Sequence, residues 1–339
     1  MLTAIGLFVL GLVLLALGGD SIVKGAAGLA QRLGLTPFTT GLALVAFATS
    51  LPELAVNLTA ILHGQGELAL GNAVGSNVAN IGLTLGAAAL AAPIVVRWRA
   101  LSPLLLVLVF GAVAVLALGA DGTLSQLEGA ILLFAFVVVF VFALVRGRNE
   151  TVEVRDEIAG YAQTGALPTQ NVIRFVIGAV LLWIGSALVV GGAGVGLFGI
   201  DLSGSGAAVI GKSLGLSPVL TGLLPVAIGT ALPEVAAAIA AARRGQGDMV
   251  MGHVIGASVF NILVVVGGMA ACGALPLPMT VMGGGLALPM GYELLAALAF
   301  ALMLYPVLRG DLRVSKGEGG VLVAAFIAWI AFELLLAGK

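Results

Sequence analysis

Ala48-Thr49-Ser50-Leu51-Pro52-Glu53 is written again 181 residues later, as Gly229-Thr230-Ala231-Leu232-Pro233-Glu234. The match extends well beyond six residues. At that offset residues 34–86 lie on residues 215–267 without a gap, and about 23 of 53 positions are identical. Pro37 falls on Pro218, Gly41 on Gly222, and Gly64-Gln65-Gly66 on Gly245-Gln246-Gly247. Gly71, Gly75 and Asn80 fall on Gly252, Gly256 and Asn261; upstream, Asp20 falls on Asp201. Self-similarity at this level marks two copies of one structural unit.

The chain around these copies is built for lipid. Of its 339 residues, 60% are hydrophobic and 9% charged, whereas a soluble domain carries about 25% charged residues. So few charges cannot cover a water-facing surface. The net charge of -1 offers nothing to nucleic acid. A single cysteine, Cys272, excludes an internal disulfide and a thiolate metal centre, and reads as a small core hydrophobe. Spanning a bilayer takes about 20 apolar residues in a helix. Such runs fall at 3–31, 37–62, 67–92, 101–119, 125–146, 172–211, 217–242, 248–275, 287–308 and 319–337. The first lacks the basic start of a signal peptide and is expected to be retained as a membrane helix. The sixth is too long for one span, and its glycine-rich middle, 191–206, predicts a bend or short loop.

Lys and Arg residues set the orientation, because cytoplasmic loops collect them. With the N-terminus outside, 13 basic residues fall on the inner side, and Lys212 and Lys339 on the outer. Both termini are therefore expected to be extracytoplasmic, in the inner (plasma) membrane. Five helices separate equivalent points of the two copies, so the second copy enters the membrane upside down. The predicted fold class is an all-α integral membrane protein, with ten transmembrane helices in two inverted-topology five-helix repeats. Inverted repeats of this kind support alternating access around a midplane site. The repeats occupy residues 1–146 and 171–339, and residues 147–170 form a cytoplasmic linker read as solvated and partly disordered. Ten helices suffice to close a monomer.

Glu53 and Glu234 lie inside apolar helices. A carboxylate there costs several kcal/mol unless it is paired or ligated, which makes it a functional candidate. The proline before each one removes a backbone N–H and frees a carbonyl in the preceding turn. Carboxylate and carbonyl oxygens then face one point, an arrangement suited to a hard cation such as Ca²⁺ or Na⁺. Asn80 and Asn261 add amide oxygens from the following helix of each copy. One Pro-Glu could be a kink with a packing carboxyl; two matched copies with matched asparagines argue for an ion site.

Other polar residues have blander readings. Glu67 and Asp248 are expected to be solvated in turns, Glu293 and Glu333 to be interfacial or packing residues, and His253 to make a polar helix contact. Asp20 and Asp201 suit gating or helix-end roles. Enzyme chemistry is disfavoured, since no HExxH zinc motif is present, and primary pumping, since no P-loop is. A channel would favour a symmetric ring of carboxylates over an inverted repeat with a buried site.

At these residues the sequence resembles the Ca²⁺/cation antiporter superfamily, and within it the prokaryotic Na⁺/Ca²⁺ exchangers. The motifs are Ala48–Glu53 with Gly71–Asn80, and Gly229–Glu234 with Gly252–Asn261. The similarity covers essentially the whole chain. It implies a secondary antiporter exchanging Ca²⁺ for Na⁺, without a cofactor, and with H⁺ as the alternative coupling ion. Glu53 and Glu234 would be shared Ca²⁺ and Na⁺ ligands. Thr49 and Thr230 would offer backbone carbonyls, Ser50 and Ser76 hydroxyls, and Asn80 and Asn261 would complete the site. Helices one and six would slide across the other eight as gates. The second copy departs from the family pattern: Ala231 and Ala257 stand where Ser50 and Ser76 carry hydroxyls, His253 replaces Asn72, and Asn261 stands where many microbial members carry Asp.

Overall fold

A computed structural model describes residues 1–44, 50–98, 101–147, 149–161, 167–282 and 285–337. The first half contains helices α1 (Leu2–Arg32), α2 (Pro37–Ala43), α3 (Leu51–Leu62), α4 (Gly66–Ala79), α5 (Gly86–Ala91), α6 (Leu101–Leu118) and α7 (Gln126–Gly147). Helix α8 (Val152–Tyr161) follows, then α9 (Pro168–Val190), α10 (Gly206–Ser213), α11 (Pro218–Thr221) and α12 (Ala227–Arg243). The chain finishes with α13 (Gly247–Phe260), α14 (Gly267–Cys272), α15 (Gly291–Met303), α16 (Tyr305–Arg309) and α17 (Lys316–Ala337). Among the described residues, eight helices are long and apolar enough to cross a membrane, and Leu51–Leu62 and Gly291–Val307 are shorter apolar helices.

The apolar runs land on these helices, with instructive differences. The sixth run ends as a helix at Val190, where Gly191 takes φ 56° and its carbonyl accepts Gln65 Nε2 at 2.8 Å. A positive φ is the helix-ending conformation that glycine adopts without steric cost. Strands β3 (Gly196–Leu197) and β4 (Ile200–Asp201) then form a hairpin before α10 begins. The 147–170 linker is only partly as expected, since it contains α8, in which Val154 and Ile158 are buried. Cys272 is exposed, which corrects its reading as a core residue; it closes the short helix α14, whose buried face is Gly267, Met269 and Ala270.

Local signals fix where helices start. Thr36 caps α2 by accepting Thr39 N–H, and Ser217 caps α11 by accepting Leu220 N–H, each at 3.2 Å with proline as the next residue. Ser125 with Glu128 and Ser315 with Glu318 form reciprocal capping boxes at the starts of α7 and α17. The repetition in sequence is thus carried into local structure. Helix α4, a π-helical stretch Asn80–Leu85 and α5 match α13, a π-helical stretch Asn261–Val266 and α14, boundary for boundary, at the offset of 181. Helices α6 and α7 start 190 residues before α15 and α17.

The chain divides into two compact units that cut across its halves. One comprises residues 1–72, 151–234 and 334–339, the other residues 73–150 and 235–333. In the first, α1 and α9 run antiparallel along a seam of small residues spaced by seven. A Cβ on Gly11 would stand 2.8 Å from Gly185 O, one on Gly18 3.0 Å from Gly178 O, and one on Gly25 2.7 Å from Asn171 O. Lipid supplies no hydrophobic drive between helices, so close backbone approach supplies the attraction instead. Helix α8 packs on α2, its Ile158 carbonyl against Gly41.

In the second unit, α7 meets α14 where a Cβ on Gly267 would lie 3.2 Å from Gly129 O. Helix α17 meets α5 in the same way, a Cβ on Gly86 standing 3.1 Å from Gly319 O. Two small antiparallel pairs accompany these contacts. Strand β1 (Ile94–Val95) pairs with β8 (Arg313–Val314), and β2 (Thr123–Leu124) with β5 (Leu275–Pro276). A further pair joins β6 (Met279–Val281) to β7 (Ala287–Pro289), placing a hairpin ahead of α15 in the ninth apolar run.

Candidate functional site

Pro52 stands in the first turn of α3, after the N-cap Ser50. Pro233 stands inside α12, whose helix begins at Ala227 and follows a π-helical stretch, Gly222–Val226, that holds Pro225. The same Pro-Glu therefore opens one helix and is embedded in another. Thr49 lies outside the described residues.

In the first unit Glu53, Ser50, Thr230 and Glu234 are all buried, at 2%, 1%, 3% and 9% exposure. The Glu53 carboxyl takes a hydrogen bond from the Thr230 side chain and lies within electrostatic reach of Glu234. Thr230 Oγ1 also sits 3.1 Å from Val226 O and 3.2 Å from Ala227 O. The two motif glutamates, 181 residues apart, are thus brought together. Glu53 Oε2 and Ser50 Oγ are buried without a hydrogen-bond partner. Two buried carboxylates side by side repel, and each lacks water. A positive ion between them removes both penalties. The donor set is all oxygen, which fits a hard cation.

In the second unit Ser76, Asn80 and Asn261 are buried, and α13 packs against the Asn80–Leu85 stretch. Each asparagine begins a π-helical stretch. Such bulges widen the turn and occur mostly at functional positions. Ser76 Oγ and both amide atoms of Asn261 lack a hydrogen-bond partner.

Two polar residues escaped the sequence reading. Asn77 is 1% exposed and Ser258 0%, and neither side chain finds a partner. They are equivalent at the 181-residue offset and stand three residues before Asn80 and Asn261, on the same helix face. The usable signal was polarity retained at a matched position without identity.

Other expectations divide. Glu67 is exposed as expected, but Asp248 is not solvated. It is 0% exposed; Oδ1 accepts the backbone N–H groups of Arg97 and Trp98 at 2.6 and 2.7 Å, and Oδ2 accepts Arg97 Nε at 3.1 Å. An acidic residue beside Gly-Gln-Gly resembles any turn; its partners lie about 150 residues away and cannot be read locally. Asp20 is exposed and paired with Lys24 at 2.7 Å. Asp201 sits on the exposed hairpin, where the Ser203 hydroxyl and N–H hold its carboxyl below the usual carboxylate range. Asn72 donates to Asn57 at 2.9 Å. At the matching positions of the second copy stand the buried residues His253 and Ala238.

The sodium/calcium exchanger protein family model matches residues 3–145 and 171–335. The chain belongs to that family. It is accordingly a multi-pass membrane transporter rather than an enzyme. It is 34% identical to the inner membrane protein YrbG of Escherichia coli, over 98% of this chain and 97% of that protein. The sodium/calcium exchanger MaX1 of Methanosarcina acetivorans is 28% identical over 96% of both chains. Among solved structures, the sodium-calcium exchanger NCX_Mj superposes with a TM-score of 0.63 at 28% identity, over 97% of this chain and 98% of that one.

Proposed function

We propose that this chain is a secondary antiporter that moves Ca²⁺ against Na⁺ by alternating access at a midplane carboxylate site. The carrying observation is the burial of Glu53 beside Glu234, with Thr230 on the Glu53 carboxyl. Two carboxylates are neutralised by one divalent or by two monovalent cations, so either cargo balances the same site. That equivalence is the electrostatic basis of exchange. Glu53 and Glu234 hold the ion, Thr49 and Thr230 contribute carbonyls, Ser50 and Ser76 hydroxyls, and Asn80 and Asn261 amide oxygens.

The repeated boundaries at the 181-residue offset support a reading as ten membrane helices in two inverted repeats, residues 1–146 and 171–339. The YrbG likeness and the distribution of basic residues support the inner membrane with both termini outside. The glycine seam between α1 and α9 supports a pair able to slide, and the number of helices suits a monomer.

A second reading, H⁺ in place of Na⁺, is favoured by Ala231 and Ala257, which lack the hydroxyls of Ser50 and Ser76. Losing neutral ligands weakens the hold on Na⁺ more than on Ca²⁺, which two carboxylates clamp. Ca²⁺ uptake by the purified chain in vesicles, under Na⁺ and pH gradients imposed separately, decides. Uptake driven by a Na⁺ gradient is the expected result. Uptake driven by ΔpH and indifferent to Na⁺ would overturn the Na⁺ assignment. Unsaturable Ca²⁺ flow without counter-ion would overturn exchange altogether.

A further inference from the structure

A second carboxylate pair lies in the membrane helices of the second unit. Glu293 is in the first turn of α15 and Glu333 near the end of α17. Their neighbours Tyr292 and Phe332 meet edge to face, with ring centroids 5.4 Å apart, and the two carboxyls lie within electrostatic reach of each other. Glu333 is 2% exposed. Glu333 Oε1 and Glu293 Oε2 are buried without a hydrogen-bond partner. The indole N–H of Trp329, one turn before Glu333 and 7% exposed, is directed at the Glu333 carboxyl without closing to a full hydrogen bond.

We propose that Glu293 and Glu333 form a second ion site, in which the two carboxyls share one proton. Among the described residues, the elements that pack on α15 and α17 supply no countercharge. Helix α6, the Asn80–Leu85 stretch, α5, β6 and β7 contain no Asp, Glu, Lys, Arg or His. The neighbouring titratable group is Tyr292; Tyr305 begins α16 twelve residues after Glu293, and Arg309 closes it. Lys316 and Glu318 begin α17, roughly 22–26 Å along the helix from Glu333 at 1.5 Å per residue.

Two adjacent carboxylates in a dry site cannot both ionise; one keeps a proton that the other accepts. A metal ion suits this pair poorly. Na⁺ or Ca²⁺ needs about six oxygen ligands, whereas the indole offers a donor N–H, which serves a carboxyl oxygen and repels a cation. The helix dipoles divide the roles. Glu293, in the first turn of α15, faces the positive end of that helix dipole, which favours the anion. Glu333, near the negative end of α17, is placed to carry the proton.

The fold itself does not require these carboxyls. At the 190-residue offset that superimposes α6 on α15 and α7 on α17, Glu293 and Glu333 match Pro103 and Ala143. Neither matching position carries a carboxyl. Binding takes one proton from water and adds one O–H bond to a carboxylate oxygen.

This assignment stands apart from the choice of transported ions, and its test does not use transport. Infrared spectra are recorded on E53Q/E234Q, where the main-site carboxyls are gone, near pH 7, where exposed carboxylates with a pKa of about 4 are ionised. The expected result is a protonated carboxylic-acid C=O band that E333Q removes. E333A, which places there the residue type of the matching Ala143, provides a second variant should E333Q fail to fold. Absence of the band, or its survival in both variants, overturns the proposal. Loss of the band on adding Na⁺ or Ca²⁺ also overturns it, by assigning the pair to a metal cation.

Discussion

Asp248 and Arg97 are joined twice: Oδ1 accepts the Arg97 backbone N–H at 2.6 Å, and Oδ2 accepts its Nε at 3.1 Å. The side-chain half of this link involves a half-exposed guanidinium, which water screens. The backbone half ends on a carboxylate that is 0% exposed. Asp248→Ala strands the part-buried Arg97 N–H and the buried Trp98 N–H and is expected to cost about 2–3 kcal/mol. Arg97→Ala removes the screened contact, keeps the backbone capture, and should cost about 0–1 kcal/mol. Thermal unfolding in detergent orders the two; equal losses would show that the ion pair, rather than the backbone capture, anchors the loop.

Gly18 offers a sharper packing test. A Cβ there would stand 2.9 Å from Leu182 N, and backbone cannot retreat as a flexible side chain can. Gly18→Ala is expected to destabilise the α1–α9 pair by about 1–3 kcal/mol. Gly6, on the same helix, faces open space, and a Cβ there would meet nothing within 4 Å. Gly6→Ala should be neutral or better, since alanine favours helix by about 1 kcal/mol over glycine. Hydrogen exchange along α1 distinguishes a seam effect from a general loss of helix.

Glu53→Gln and Glu234→Gln keep shape and remove charge. Each is expected to abolish Ca²⁺ exchange in vesicles while the detergent-solubilised chain keeps its unfolding temperature or gains a few degrees, because one of two repelling carboxylates has gone. Normal exchange by either variant would refute the proposed site.

Ala257→Ser restores the hydroxyl that Ser76 has in the first copy. If its absence limits Na⁺ binding, the variant should require less Na⁺ for half-maximal exchange, with Ca²⁺ affinity little changed. An unchanged Na⁺ response would detach the coupling question from this position.

Much of the fold was written in the repeat. From Gly66 and Gly247 onward its two copies set helix boundaries that agree residue for residue, down to Asn80 and Asn261 opening π-helical stretches. The nearness of Glu53 to Glu234 was inferable because both are intolerable alone in an apolar helix. Legibility failed where partners are distant and one-sided. Helix α8 looked like a polar linker because only Val154 and Ile158 are buried, too few for a periodic signal. Asp248 looked solvated because its partners are backbone N–H groups, which no side-chain pattern advertises. Asn77 and Ser258 went unnoticed because the copies hold different residues there.

The glycine contacts of the second unit govern the order in which the molecule can be assembled. Gly86 finds Gly319, and Gly129 finds Gly267, so each sequence half closes its surface with a helix belonging to the other. Helix α5 is made early, yet Gly86 stays bare until α17, the last of the described helices, has been synthesised. A ribosome that has delivered only the first half has therefore released a set of helices whose complementary surfaces do not yet exist. Such long-range closure is slow and leaves partly built chains prone to wrong associations. Whatever holds the early helices in the bilayer during that interval is as necessary to this transporter as its ion ligands.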